Sequence, residues 1–201
     1  MSVIECKTEA QIKQYAKELF FVKGNFNAST QEIADYAGVN RTLVNYYFRS
    51  KTNLFEIVYC ETISEMRSEF AAIYIAKMDF RAKIERIIDY LFEFRQTYPF
   101  LEVFNIQETP KLSNQMDSIL NPKYVQELTV FVKEIEEEME KGGIPKYDPM
   151  NFLVNVFSLV SYPIIMRPVF EKVLGLTTAD YSALLEKRKK EIIAILFNNR
   201  F

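Results

Sequence analysis

Apolar residues in this chain recur at the three-and-four spacing of an α-helix from about Lys7 to the C-terminus. No segment alternates apolar and polar residues between turn signals as a strand would. That pattern predicts an all-α fold in which each element buries one stripe against other helices. The first helix is expected from about Lys7 to Lys23, with Ile12, Ala16, Leu19 and Phe20 on its apolar face and Gly24 as its stop. Ser29-Thr30-Gln31-Glu32 has the form of a capping box and starts a short second helix that ends at Gly38. Asn40 can cap a third, Arg41 to Phe48, and Ser50 a fourth, which begins at Lys51 and runs to about Ala76. Longer helices follow: Phe80 to Arg95, broken by Tyr98-Pro99, one from Asn121-Pro122 to Gly142-Gly143, and one opened by Asp148-Pro149. Pro163 and Pro168 predict a kink or break in that last helix before Gly175, and Thr177 to Asp180 cap a final helix to about Asn198.

Composition then excludes chemistries. The sequence contains no histidine, which removes the commonest general base, every Ser/His/Asp or Cys/His arrangement and the commonest metal ligand. Cys6 and Cys60 are too few and too far apart for a disulfide framework or a zinc site. No nucleotide-binding glycine loop is present, and carboxylates such as Glu108 and Asp117 have no recognisable partner. An enzyme is therefore not expected, nor any cofactor or metal. The first residues lack the pattern of a signal peptide, so the expected location is the cytoplasm. The uncharged span Met150 to Met166 falls short of the ~20 apolar residues a bilayer requires and reads as a buried helix. Net charge is −2, but residues 1–55 carry seven basic and five acidic side chains against 18 and 22 in the remainder. A mildly basic head thus precedes an acidic body.

The three short N-terminal helices carry the functional information. Two helices joined by a tight glycine turn, with a third in front, form a helix-turn-helix, whose second helix enters the DNA major groove. Within Arg41 to Phe48, Val44 and Phe48 share one face and are expected to pack on Ile33, Ala34 and the first helix. Thr42 and Tyr46 then point away, flanked by Leu43 and Asn45, with Arg41 at the helix start. Arginine can bond guanine through two nitrogens and asparagine can pair with adenine. Thr30, Tyr46 and Tyr47 suit phosphate oxygens, as does Lys51 at the start of the fourth helix. Tyr46 and Tyr47 as core aromatics, and Arg41 as a solvated cation, are the competing readings.

The segments Ala16-x-x-Leu19-Phe20-x-x-x-Gly24, Ser29 to Ala34, Ala37 to Arg41 and Val44 to Leu54 resemble the TetR family of bacterial transcriptional regulators, in order and spacing. The resemblance implies a helix-turn-helix DNA-binding domain over residues 1–50 and a larger helical ligand-binding and dimerisation domain over 51–201. It implies a repressor that binds a palindromic double-stranded operator as a homodimer and is released by a small-molecule effector. By position, Arg41, Thr42 and Leu43 match the family's base-contacting turn, and Thr30, Tyr46, Tyr47 and Lys51 its phosphate contacts. Gln31 and Asn45 complete the candidate set, Asn45 standing where the family usually has tyrosine.

In the body, Phe70, Tyr74, Phe92, Phe104, Tyr124, Phe131, Phe157 and Tyr162 are candidates to line a largely apolar effector pocket, with Gln107 and Asn155 as polar anchors. Core packing is the competing reading for each. The Met150 to Met166 helix and the last helix are the expected dimer interface, with Phe157 and Leu196 among its residues. The acidic run Glu134 to Glu140 and the basic run Lys187 to Lys190 read as solvated faces. A protein of this type acting mainly through protein–protein interaction is the alternative function.

Overall fold

The computed structural model describes residues 3–108 and 122–197, with side chains over 7–105 and 122–197. Ten α-helices occur among the described residues: α1 (Val3–Lys17), α2 (Thr30–Ala37), α3 (Arg41–Phe48), α4 (Lys51–Ile75), α5 (Phe80–Thr97), α6 (Leu101–Glu108), α7 (Pro122–Glu140), α8 (Pro149–Ile165), α9 (Arg167–Leu174) and α10 (Thr178–Leu196). The Asn121 cap expected for α7 lies outside the described residues. By compactness the chain divides into residues 1–66 with 97–119, and residues 67–96 with 120–201. This grouping differs from a single division after residue 50, because α4 is shared and α6 joins the N-terminal unit.

In the N-terminal unit, α1 ends in a π-helical turn, Glu18–Val22. Lys23 N–H bonds the carbonyl of Glu18 at 3.0 Å and Asn25 N–H that of Leu19 at 2.9 Å, so the turn holds more residues than an α-turn. Leu19, Phe20 and Phe21, three consecutive residues of this turn, are all buried. Gly24 follows with φ of 69°, and a Cβ there would lie 2.7 Å from the Phe100 ring. Glycine is needed both for its conformation and for that close approach. The Phe100 N–H bonds the carbonyl of Phe21 at 3.1 Å, which starts α6 against the turn. Phe104 of α6 then meets Phe55, with ring centroids 4.3 Å apart, and Phe21, Phe26 and Tyr59 close the cluster. α6 was not expected from sequence, and its role in this unit is to complete that aromatic core.

In the C-terminal unit, Tyr74 stacks between Phe131 at 4.6 Å and Phe70 at 5.9 Å, and Phe80 bridges Phe131 and Phe152. Lys83 is buried within this unit, where its ammonium bonds Glu134 Oε2 at 2.5 Å and the Tyr74 carbonyl at 3.0 Å near the end of α4. The expected break after Pro163 falls at Met166, and α8 and α9 are bent by 60°. Among the described residues no single helix is long and apolar enough to cross a membrane. α8 is partly exposed, with Val154 and Tyr162 both 57% accessible. Leu196, expected at a dimer interface, is instead 2% exposed within its own chain, and Phe157 packs edge-on to Phe70 at 5.7 Å. The basic run is not wholly solvated either. Arg188 bonds the Leu159 carbonyl at 2.9 Å and Lys189 pairs with Asp89 at 3.1 Å.

Candidate nucleic-acid interface

Each of the two helices of the helix-turn-helix is fixed by local chemistry. Ser29 Oγ accepts from Glu32 N–H at 3.2 Å, and the Glu32 carboxylate accepts from Ser29 N–H at 2.7 Å, so the capping box is complete. That backbone bond is the main reason the Glu32 carboxyl is held below its ordinary range, with the Ser29 hydroxyl second. Gly38 takes φ of 66° and ψ of 29° at the turn. Its N–H and that of Val39 satisfy carbonyls at the end of α2, and Gln11 of α1 donates to the Ala37 carbonyl at 2.8 Å. Asn40 Oδ1 accepts from Leu43 N–H at 2.9 Å and so caps α3.

These caps set which side of α3 faces inward. Val44 and Phe48 are each 1% exposed and belong to the core with Ile33 and Ala34. The opposite side is left open: Arg41, Thr42 and Asn45 are exposed and Tyr46 is 71% exposed, while Leu43 and Tyr47 are half-buried. Tyr46 is therefore not a core aromatic. Its ring meets Tyr47 edge-on at 5.2 Å, and Tyr47 also touches Phe48 at 6.1 Å. Apart from its exposure, Arg41 has a partner: its Nε–H donates to Thr30 Oγ1 at 3.1 Å. Gln31 is exposed and its amide donates to Asp35 at 2.7 Å, while Lys51 turns its ammonium to the Phe26 carbonyl at 3.3 Å. Sequence spacing gave no sign of the Thr30 to Arg41 bond, because the two residues stand on different helices.

Just beyond α3, Arg49 is exposed with φ of 62° and ψ of −40°, among described residues the one non-glycine with positive φ. The compressed joint is closed by Ser50 N–H to Phe48 C=O at 2.6 Å and by Asn53, whose amide donates to the same carbonyl at 3.0 Å. Ser50 caps α4 through Asn53 N–H at 3.1 Å. Of the head's other cations, Lys13 and Lys17 pair with Glu61 at 2.6 Å and Glu65 at 2.8 Å on α4, and Lys23 bonds Tyr36 at 2.6 Å. Arg41, Arg49 and Lys51 are the head cations that lie on α3 or at its joint with α4.

Five of the ten residues expected around an effector meet in one ring cluster, Phe70 with Tyr74 and Phe157, and Tyr74 with Tyr124 and Phe131. Phe70, Tyr74, Phe92 and Phe131 are buried, and burial pushes the Tyr74 hydroxyl far above its ordinary range, so it stays protonated. Tyr124 is half-buried beneath the Arg67 guanidinium, 5.2 Å from its ring centre. Phe104 belongs to the N-terminal unit, and the side chain of Gln107 lies outside the described ones. Asn155 is exposed and donates to Tyr147 at 3.3 Å, and Tyr162 meets Phe170 edge-on at 6.1 Å. Among the described residues no group of three or more carboxylate, cysteine or histidine side chains is arranged to hold a metal.

Residues 13–58 match the family of bacterial regulatory proteins described as the tetR family. A protein of Bacillus subtilis (strain 168), the uncharacterized HTH-type transcriptional regulator YhgD, is 22% identical over 131 residues, which is 64% of this chain and 68% of that one. Among solved structures, a TetR/AcrR family transcriptional regulator from Thermobifida fusca YX-ER1 has a TM-score of 0.67 at 17% identity, covering 92% of this chain and 96% of the other. A TetR family transcription regulator from Marinobacter aquaeolei VT8 has a TM-score of 0.59 at 13% identity, covering 98% of each. The shared fold is all-helical, with an N-terminal helix-turn-helix and a larger helical body.

Proposed function

This chain belongs to the TetR family of bacterial transcriptional regulators, and from that premise we propose that it is a cytoplasmic repressor. In this reading it binds a palindromic operator as a homodimer and is released by a small, largely apolar effector. Residues 1–50 read the DNA, and residues 51–201 bind the effector and dimerise. The observation that carries the reading is the two-sidedness of α3. Its Val44 and Phe48 side is locked into the head, while Arg41, Thr42, Asn45 and Tyr46 are presented outward. Arg41, Thr42, Leu43 and Asn45 contact bases, and Thr30, Gln31, Tyr46, Tyr47 and Lys51 contact the backbone.

Dimerisation is supported by the apolar residues that α8 and α10 leave outside: Val154 and Tyr162, Leu184 at 37% and Ile195 at 50% exposure. A two-fold dimer presents two copies of α3, so its site should itself be two-fold. Selection of duplexes from a random DNA pool with the purified full chain tests this. Enrichment of a palindrome supports the reading, and a pool that stays random refutes it. Repeating the selection with apolar organic compounds present would identify an effector by loss of the enriched site.

A further inference from the structure

Arg41 and Thr30 are each placed by independent local structure. Thr30 is the first residue of α2, immediately behind the Ser29–Glu32 capping box, and Arg41 is the first residue of α3, behind the Asn40 cap. The turn through Gly38 brings these two helix starts together, and Arg41 Nε–H reaches Thr30 Oγ1 at 3.1 Å. A guanidinium has five N–H groups, so this bond uses one and leaves the four on its two terminal nitrogens. Those form the end-on edge that can meet guanine O6 and N7 together. The threonine hydroxyl spends a lone pair on Arg41, and its own proton remains a donor for a phosphate oxygen.

We propose that Thr30 is a positioning residue that aims Arg41 end-on at a guanine in the operator, so that one side chain joins a phosphate contact to a base contact. The proposal rests on the reading of α3 as the DNA-reading helix. Its physical basis is preorganisation. A long arginine on an exposed helix end must give up rotamer freedom when it meets a base, and one already tethered through Nε gives up less. A threonine that contacted phosphate alone would strengthen binding to every sequence alike.

The test uses the full chain and the duplex recovered by selection, together with versions of it changed at each base pair. Wild type, Thr30→Val, Thr30→Ser, Arg41→Ala and the double variant Thr30→Val/Arg41→Ala are titrated on each duplex, and melting temperatures confirm that each is folded. Thr30→Val should lower discrimination roughly threefold to tenfold, the scale of one hydrogen bond. The loss should fall at the same base pair that Arg41→Ala relaxes. Thr30→Ser should keep that discrimination, and Thr30→Val should add no further loss of it in the Arg41→Ala background. Uniform weakening by Thr30→Val with discrimination intact, or relaxation at a different base pair, overturns the positioning role and leaves the DNA reading standing. A wild-type chain that selects no duplex, or an Arg41→Ala variant that keeps every base preference, overturns the DNA reading of Arg41 and the positioning role with it.

Discussion

The Arg188 guanidinium donates through Nε to the backbone carbonyl of Leu159 at 2.9 Å. Four residues further along α8 stands Pro163, which has no N–H to give that carbonyl its helical bond. Seven residues before Arg188 on α10, Tyr181 donates to the carbonyl of Pro163 in the last turn of α8. Two α10 side chains thus hold α8 through its carbonyls, one opened by proline and one near the helix end.

Replacing Arg188 by leucine should cost about 1–2 kcal/mol, because a half-buried carbonyl loses its donor. The same substitution should cost clearly less in a Pro163→Ala chain, where residue 163 regains an N–H. A double-mutant cycle by chemical denaturation measures this coupling.

Lys83 is 2% exposed, and its ammonium is held by Glu134 and by the Tyr74 carbonyl. Lys83→Met should destabilise the chain by about 2–3 kcal/mol, at or below the low end for a broken buried pair because Glu134 keeps some contact with water. Lys83→Met combined with Glu134→Leu should recover much of that loss, since no unpaired charge is then left. Urea midpoints of the three variants decide the matter.

How far these features could be read in advance depends on their range in sequence. The caps at Ser29, Asn40, Ser50, Asp148 and Thr177 all bond a backbone N–H three residues ahead, and short-range patterns disclose them. Gly38 was legible for the same reason, as was the inward side of α3 from the four-residue spacing of Val44 and Phe48. The partners of Lys83 and Arg188 were not, because Glu134 lies 51 residues from the one and Leu159 lies 29 from the other. Phe104 gave no sign that it would join Phe21 and Phe55 and not the C-terminal unit, since an aromatic at helical spacing carries no address. The π-helical turn was also hidden, as it shifts register inside an otherwise regular apolar pattern.

Arg49 holds φ of 62°, which a residue with a Cβ adopts at a cost of about 1–3 kcal/mol. Glycine relieves that strain and gives back part of the gain as unfolded-state entropy. Arg49→Gly should therefore stabilise the chain by about 1 kcal/mol, read as a raised melting temperature.

Two exposed carboxylates give the acid limb of stability a defined direction. Glu32 is held below its ordinary range chiefly by the Ser29 N–H, and Asp180 chiefly by the Thr177 hydroxyl. A carboxyl depressed in the folded state contributes stability above its unfolded value, and that contribution is lost as pH falls through its folded value. Between neutral pH and about pH 3, Glu32→Gln and Asp180→Asn should each show a shallower fall in denaturation midpoint than the parent chain. Their curves should approach the parent's at the acid end.

The most direct measurement is a titration of the selected duplex and a scrambled duplex of equal length and composition, across a range of salt, with wild type and Arg41→Ala. For the wild type, log affinity should fall linearly with log salt on both duplexes, the selected one remaining the tighter. Arg41→Ala should narrow the gap between them, with little change on the scrambled duplex. Equal wild-type affinity for the two duplexes, at every salt concentration, would contradict sequence reading by α3.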